Sequence, residues 1–115
     1  MLALYQKNGA VYAWLDETSG RILDLRGKNL AFVDGDSVYG WNGRHIGWWQ
    51  DGHIRDQNGA VAMFTDVASN LGVVAPVKAV RPVQPIKSIA PIRPVKSVKP
   101  IRPVRQLSWA AKMPF

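Results

Sequence analysis

Four glycine-centred tight turns at near-regular spacing restrict this chain more than any other feature. Asn8-Gly9, Arg26-Gly27, Asn42-Gly43 and Asn58-Gly59 set the turn glycines 18, 16 and 16 residues apart. Three of the four are Asn-Gly, the strongest short-range signal for a β-hairpin. The flanks repeat as well. Five residues before each glycine stands Leu4, Ile22, Val38 or Ile54; four after it Ala13, Ala31, Gly47 or Met63; five after it Trp14, Phe32, Trp48 or Phe64. Between the tight turns lie looser ones, 16–20, 34–36, 51–52 and 66–70, rich in Asp, Asn, Ser and Gly. The unit is strand, tight turn, strand, looser turn, four times over residues 2–66. A lone hairpin is marginal in water, so such units must bury their faces against one another.

Asn-Gly predicts two-residue turns of type I′, with positive φ at both central residues. That register pairs Leu4 with Ala13, Ile22 with Ala31, Val38 with Gly47 and Ile54 with Met63 on one face of the pleat. On the other it pairs Tyr5 with Tyr12, Leu23 with Leu30, Tyr39 with Ile46 and Arg55 with Ala62. Both faces are largely apolar, so neither alternates cleanly with solvent. Small residues beside large aliphatics predict close backbone approach near a shared axis, with the aromatics packed between units.

The stretch GWNGRHIGWWQDGHIRDQNGAVAMF, following DLRGKNLAFVDGDSVY, resembles the bacterial four-fold β-flower domain family. The resemblance covers residues 2–66 and continues into a Pro/Lys/Arg tail that ends near a Ser-Trp, here Ser108-Trp109. It implies four hairpins set like petals about a pseudo-four-fold axis, and it supplies no activity to carry over.

From residue 74 the period becomes three. Val or Ile occupies 74, 77, 80, 83, 86, 89, 92, 95, 98, 101 and 104. The next place is basic at Lys78, Arg81, Lys87, Arg93, Lys96, Lys99, Arg102 and Arg105. The third is proline at 76, 82, 85, 91, 94, 100 and 103, and otherwise Ala79, Ser88, Ser97 or Gln106. Frequent proline excludes a helix, and three residues per turn without internal hydrogen bonds is polyproline II. Such a screw aligns an aliphatic, a cationic and a proline ridge. A solvated spacer does not need eleven β-branched aliphatics in register, so the aliphatic ridge is expected to dock into a groove on this protein, on another copy of it or on a partner. The segments Pro82–Lys87, Pro91–Lys96 and Pro100–Arg105 each read P-x-x-P-x-basic, the grammar of proline-groove ligands.

Charge divides the chain in the same way. Residues 1–70 carry six basic and all eight acidic side chains, and residues 71–115 carry nine basic ones and no acid. Such asymmetry points the tail at something negative or polar. Cysteine is absent, which excludes disulfide frameworks, thiolate metal cages and thiol nucleophiles. No apolar run is long enough to span a bilayer, and the start lacks the charge and hydropathy pattern of an export signal, so a soluble, cytoplasmic protein is expected.

No catalytic, cofactor-binding or metal-binding residue emerges, and no cofactor is expected. His45 and His53 fall at different repeat positions and read as surface residues beside turns. Asp24 and Asp56 hold equivalent places before their turn glycines and read as caps of backbone amides. Asp34-Gly35-Asp36 reads as turn chemistry, since the calcium-loop spacing is missing. Trp41 and Trp49 are the tryptophans expected at the surface, and Trp109 and Phe115 read as an anchor.

The expected architecture is all-β: four repeated hairpins about a pseudo-four-fold axis over 1–70, an extended polyproline-II-like tail over 71–106, and an aromatic segment over 107–115. The structural turns are Gly9, Gly27, Gly43 and Gly59. The expected function is that of a non-enzymatic interaction protein presenting a basic proline-rich arm to a protein partner or another protomer. The contact residues would be Lys78, Arg81, Lys87, Arg93, Lys96, Lys99, Arg102, Arg105, Trp109 and Phe115. Binding of nucleic acid or of an anionic membrane through the same cations is the alternative.

Overall fold

Eight short strands form in the computed structural model, which describes residues 1–115. They are β1 (Leu2–Tyr5), β2 (Val11–Leu15), β3 (Arg21–Leu23), β4 (Asn29–Asp34), β5 (Ser37–Gly40), β6 (His45–Gln50), β7 (His53–Arg55) and β8 (Val61–Phe64). Each pairs antiparallel with the next, and Tyr5 opposite Phe64 brings β8 back to β1, closing a barrel. Closure removes the exposed edges that a row of separate hairpins would leave. There is no helix, and so none long and apolar enough to cross a membrane.

The expected inner pairs are present: Leu4↔Ala13, Ile22↔Ala31, Val38↔Gly47 and Ile54↔Met63. Leu4, Ile22, Val38, Ile54 and Met63 are wholly buried in one core cluster with Ala13 and Ala31. Glycine at 47 follows from crowding, since a Cβ there would stand 2.6 Å from the Arg55 carbonyl oxygen.

The second set of pairs differs by one residue. Tyr5 faces Val11, Leu23 faces Asn29, Tyr39 faces His45 and Arg55 faces Val61, with a bulge in every hairpin. The cause is the turn type. Gly9 N–H donates to the Gln6 carbonyl at 2.8 Å and Gln6 N–H to the Ala10 carbonyl at 2.9 Å, and the same pattern recurs in the other three turns. Only the glycines, at φ 86, 91, 85 and 87, are left-handed there. This is a type I turn closed by a glycine bulge, which adds one residue to the loop. The type I′ turn occurs instead at Asp51-Gly52, where φ is 48 and 74 and Gln50 faces His53.

Asn and Asp supply caps in place of positive φ. Asn8 and Asn42 accept from the N–H of Ala10 and Arg44, while Asp24 accepts from Arg26 and Lys28 and Asp56 from Asn58 and Ala60. The outer wall of the barrel is as buried as its interior: Tyr5, Trp14, Leu23, Phe32, Tyr39, Trp48 and Phe64 are all covered. What covers much of this wall is the remainder of the chain.

Candidate functional site: an arm around the barrel

Residues 71–106 hold no helix or strand and run along the outside of the barrel. Their attachment repeats every nine residues. Ala79, Ser88, Ser97 and Gln106 donate their N–H groups to the carbonyls of Gly9, Gly27, Gly43 and Gly59, at 2.9, 3.0, 2.8 and 3.1 Å. These four are the third-place positions that are not proline, because proline has no N–H to give. Nine residues at about 3.1 Å each reach about 28 Å, a quarter of the perimeter of a disc 36 Å across, so one repeat carries the arm from one hairpin to the next. The turn glycines serve twice here. At Gly27, besides its φ, a Cβ would collide with the Ile86 carbonyl, and Val77, Val95 and Val104 approach the other three in the same way.

The cationic edge docks beside the N–H edge. Lys78 pairs with Asp66 at 2.7 Å and Lys87 with Asp16 at 3.1 Å; Lys96 pairs with Asp34; Lys99 and Arg102 both pair with Asp36, at 2.6 and 2.7 Å. Arg81 lies 3.6 Å from Asp66, Arg93 donates to the Ser19 carbonyl and Arg105 to that of Asn70. Five of these cations also sit over rings of the wall: Lys78 on Tyr5, Arg93 on Phe32, Lys96 on Tyr39, Lys99 and Arg102 on Trp48. The looser turns therefore supply the negative partner that the charge asymmetry calls for. The Ser19 hydroxyl and Lys87 hold the Asp16 carboxyl below its usual range; Lys96 does so for Asp34 and Lys99 for Asp36.

The aliphatic ridge does not dock on the chain's own body and faces solvent. All eleven Val and Ile side chains from Val74 to Val104 are 88–97 % exposed. The body's carboxylates and ring faces select cations, and the turn carbonyls select the N–H edge, so the third edge is turned away. The P-x-x-P-x-basic segments are half covered in consequence. Pro85, Pro94 and Pro103 are partly buried against the turns, and Lys87, Lys96 and Arg105 are engaged with the body.

Trp109 and Phe115 pack on the chain's own body. Val61 exchanges backbone hydrogen bonds with Ser108 and Ala110, at 2.9 and 2.7 Å, and the Trp109 ring packs on Phe64. Phe115 packs on Tyr12, whose hydroxyl donates to the Phe115 carbonyl. Trp41 and Trp49 are half-exposed. Trp49 lines an apolar cleft of about 160 Å³ with Leu2, Leu15 and Val33.

His45 and His53 are buried rather than superficial. Both stand on the outer wall beneath the arm. The His45 ring contacts Gln57 Oε1 and Ser37 Oγ, both at 3.1 Å, and the His53 ring contacts the Asp51 carbonyl and the Arg55 side chain. Burial holds both imidazoles below the usual histidine range. Arg55, placed by the sequence opposite Ala62, is given no functional role there. Its buried guanidinium donates to the carbonyls of Gly59, Gln106, Asn70 and Leu71 at 2.6, 2.9, 3.4 and 2.8 Å, joining the first and last residues of the arm. A cation where the other repeats hold Tyr5, Leu23 and Tyr39 was the available signal.

Neither a curated protein nor a solved structure matches the chain. A family model described as 4-fold beta flower protein matches residues 2–114, arm and C-terminal segment included, and the chain belongs to that family.

Proposed function

We propose that this beta flower is a non-enzymatic interaction protein of the cytoplasm, whose contact surface is the aliphatic ridge of the arm and whose partner is another protein or a second protomer. The observation that supports this reading is the exposure of all eleven ridge side chains, one at every third residue. Together they offer on the order of 1,000 Å² of apolar surface, more than the few hundred Å² that a monomer ordinarily leaves bare. The arm's cations align the ridge rather than meet the partner, since each of the eight is already in contact with the barrel. Binding of nucleic acid or an anionic membrane through those cations draws less support for the same reason.

The test is a triple variant, Val83→Ser, Ile92→Ser and Ile101→Ser, at ridge positions between the turn contacts. The reading expects wild-type thermal stability together with loss of self-association in sedimentation and of partner capture in pull-down. Undiminished association would reject it. Binding that is lost instead with rising salt, and is indifferent to the triple variant, would favour the electrostatic alternative.

A further inference from the structure

We propose that the His53–Arg55 pair is an acid-sensitive buckle, which holds the arm closed around the barrel and opens it at its two ends when His53 takes up a proton. The arm leaves the barrel at Asn70 and Leu71 and completes its circuit at Gln106, and one guanidinium binds all three carbonyls. A cross-link between the two ends of a belt is a closure.

The closure depends on a neutral imidazole. Nδ1 of His53 lies 3.3 Å from the Asp51 carbonyl, which can only accept, so that nitrogen carries the proton. Nε2 is then free to accept from Arg55 Nε at 3.1 Å. No carboxylate is hydrogen-bonded to Arg55. The charged groups around the pair are Asp51 and Asp56 of the same hairpin and Arg105 of the arm. From β8, His53 faces Phe64, and from β6 it faces Gln50, neither of which offers a charge. A second proton on His53 turns donor against donor and adds a cation beside Arg55 and Arg105. His53 is completely buried, so water cannot relieve the conflict until the structure opens.

Protonation of His45, which burial also disfavours, sets no donor against another donor. Both its nitrogens face oxygens able to accept, Gln57 Oε1 and Ser37 Oγ, and Asp36 lies opposite Lys99 in the charge around it. The middle of the arm is also doubly fixed. Ser88 adds a hydroxyl bond to the Gly27 carbonyl, and Ser97 accepts from His45 N–H, whereas Ala79 has no side-chain hydrogen bond to its turn. Opening therefore begins at the ends, at Gln106 and Ala79.

Amide hydrogen exchange on the full-length chain at pH 7.5 and 5.5, corrected for intrinsic exchange, tests this. One-proton linkage to an imidazole that titrates near 6.5 once released raises the opening equilibrium at Gln106 and Ala79 about tenfold across this interval. Ser88 and Ser97 stay unchanged. His53→Gln keeps a neutral acceptor for Arg55 and removes the pH dependence, while His45→Gln retains it. An equal rise at all four amides, no rise, or a rise that survives His53→Gln overturns the proposal. Should His53→Gln fail to fold, the imidazole signals of the wild type decide. Protonation of His53 must coincide with loss of protection at Gln106, and protonation without that loss overturns it equally.

Discussion

Replacing Ala79 by proline changes almost nothing about the arm except one N–H. Proline already fills this place of the triplet seven times, so the backbone accommodates it. The Ala79 N–H, however, is bonded to the Gly9 carbonyl at 2.9 Å. Its removal costs about 1 kcal/mol for a hydrogen bond of this kind. The ring carbon that replaces the hydrogen also presses on the same oxygen and lifts the arm from the first hairpin, which brings the expected loss to about 1–3 kcal/mol. Ala90→Pro is the control: its N–H makes no backbone bond, and a shorter list of unfolded conformations makes it neutral or stabilising by up to about 1 kcal/mol. At roughly 4 °C per kcal/mol for a chain of this size, the two variants separate clearly in Tm. Urea unfolding followed by tryptophan fluorescence reads the same event, because Trp14 and Trp48 are buried on the outer wall. A neutral Ala79→Pro, or an equal loss from Ala90→Pro, would refute the role assigned to the nine-residue spacing.

Gly27→Ala forces a side chain into φ 91 and into the Ile86 carbonyl at once, and calorimetry is expected to show a loss of about 2 kcal/mol or more. Arg55→Lys keeps the charge but cannot reach carbonyls on both ends of the arm, so urea unfolding should report a loss of about 3 kcal/mol. Acid should act in two stages. His45 and His53 are depressed in the folded state, so the unfolded chain binds those protons first; their contribution is whole above about pH 6.5 and is lost below it. Asp16, Asp34 and Asp36 are likewise depressed, and theirs is lost below about pH 3.8, so urea midpoints plotted against pH should show two declines. Deleting residues 74–115 uncovers aromatics of the outer wall, and the truncated barrel is expected to aggregate by light scattering.

The hairpin count, the inner core pairs and the turn glycines were all legible in the residues. The outer pairs were misread by one position because Asn-Gly serves two turn types. Asn8 and Asn42 spend their side chains on a cap while the glycine alone goes left-handed, and nothing local distinguishes this from a type I′ turn. The two histidines were misread for a different reason. They stand in short strands beside turns, and only the arm laid over the wall turns that position into an interior.

The arm marks the boundary most sharply. Its triplet period, its charge and even the nine-residue recurrence of Ala79, Ser88, Ser97 and Gln106 are written in the chain, because a bond to a turn carbonyl needs an N–H that proline lacks. Which of its three edges meets the barrel is not a property of the arm. It follows from where closure places Asp16, Asp34, Asp36 and Asp66 and the faces of Tyr5, Phe32, Tyr39 and Trp48, a ring of acceptors and π-surfaces that exists only once the hairpins are joined. The same closure brings Leu71 and Gln106 to a single guanidinium, since a partner thirty-five residues away along the chain becomes a neighbour only on a closed circuit.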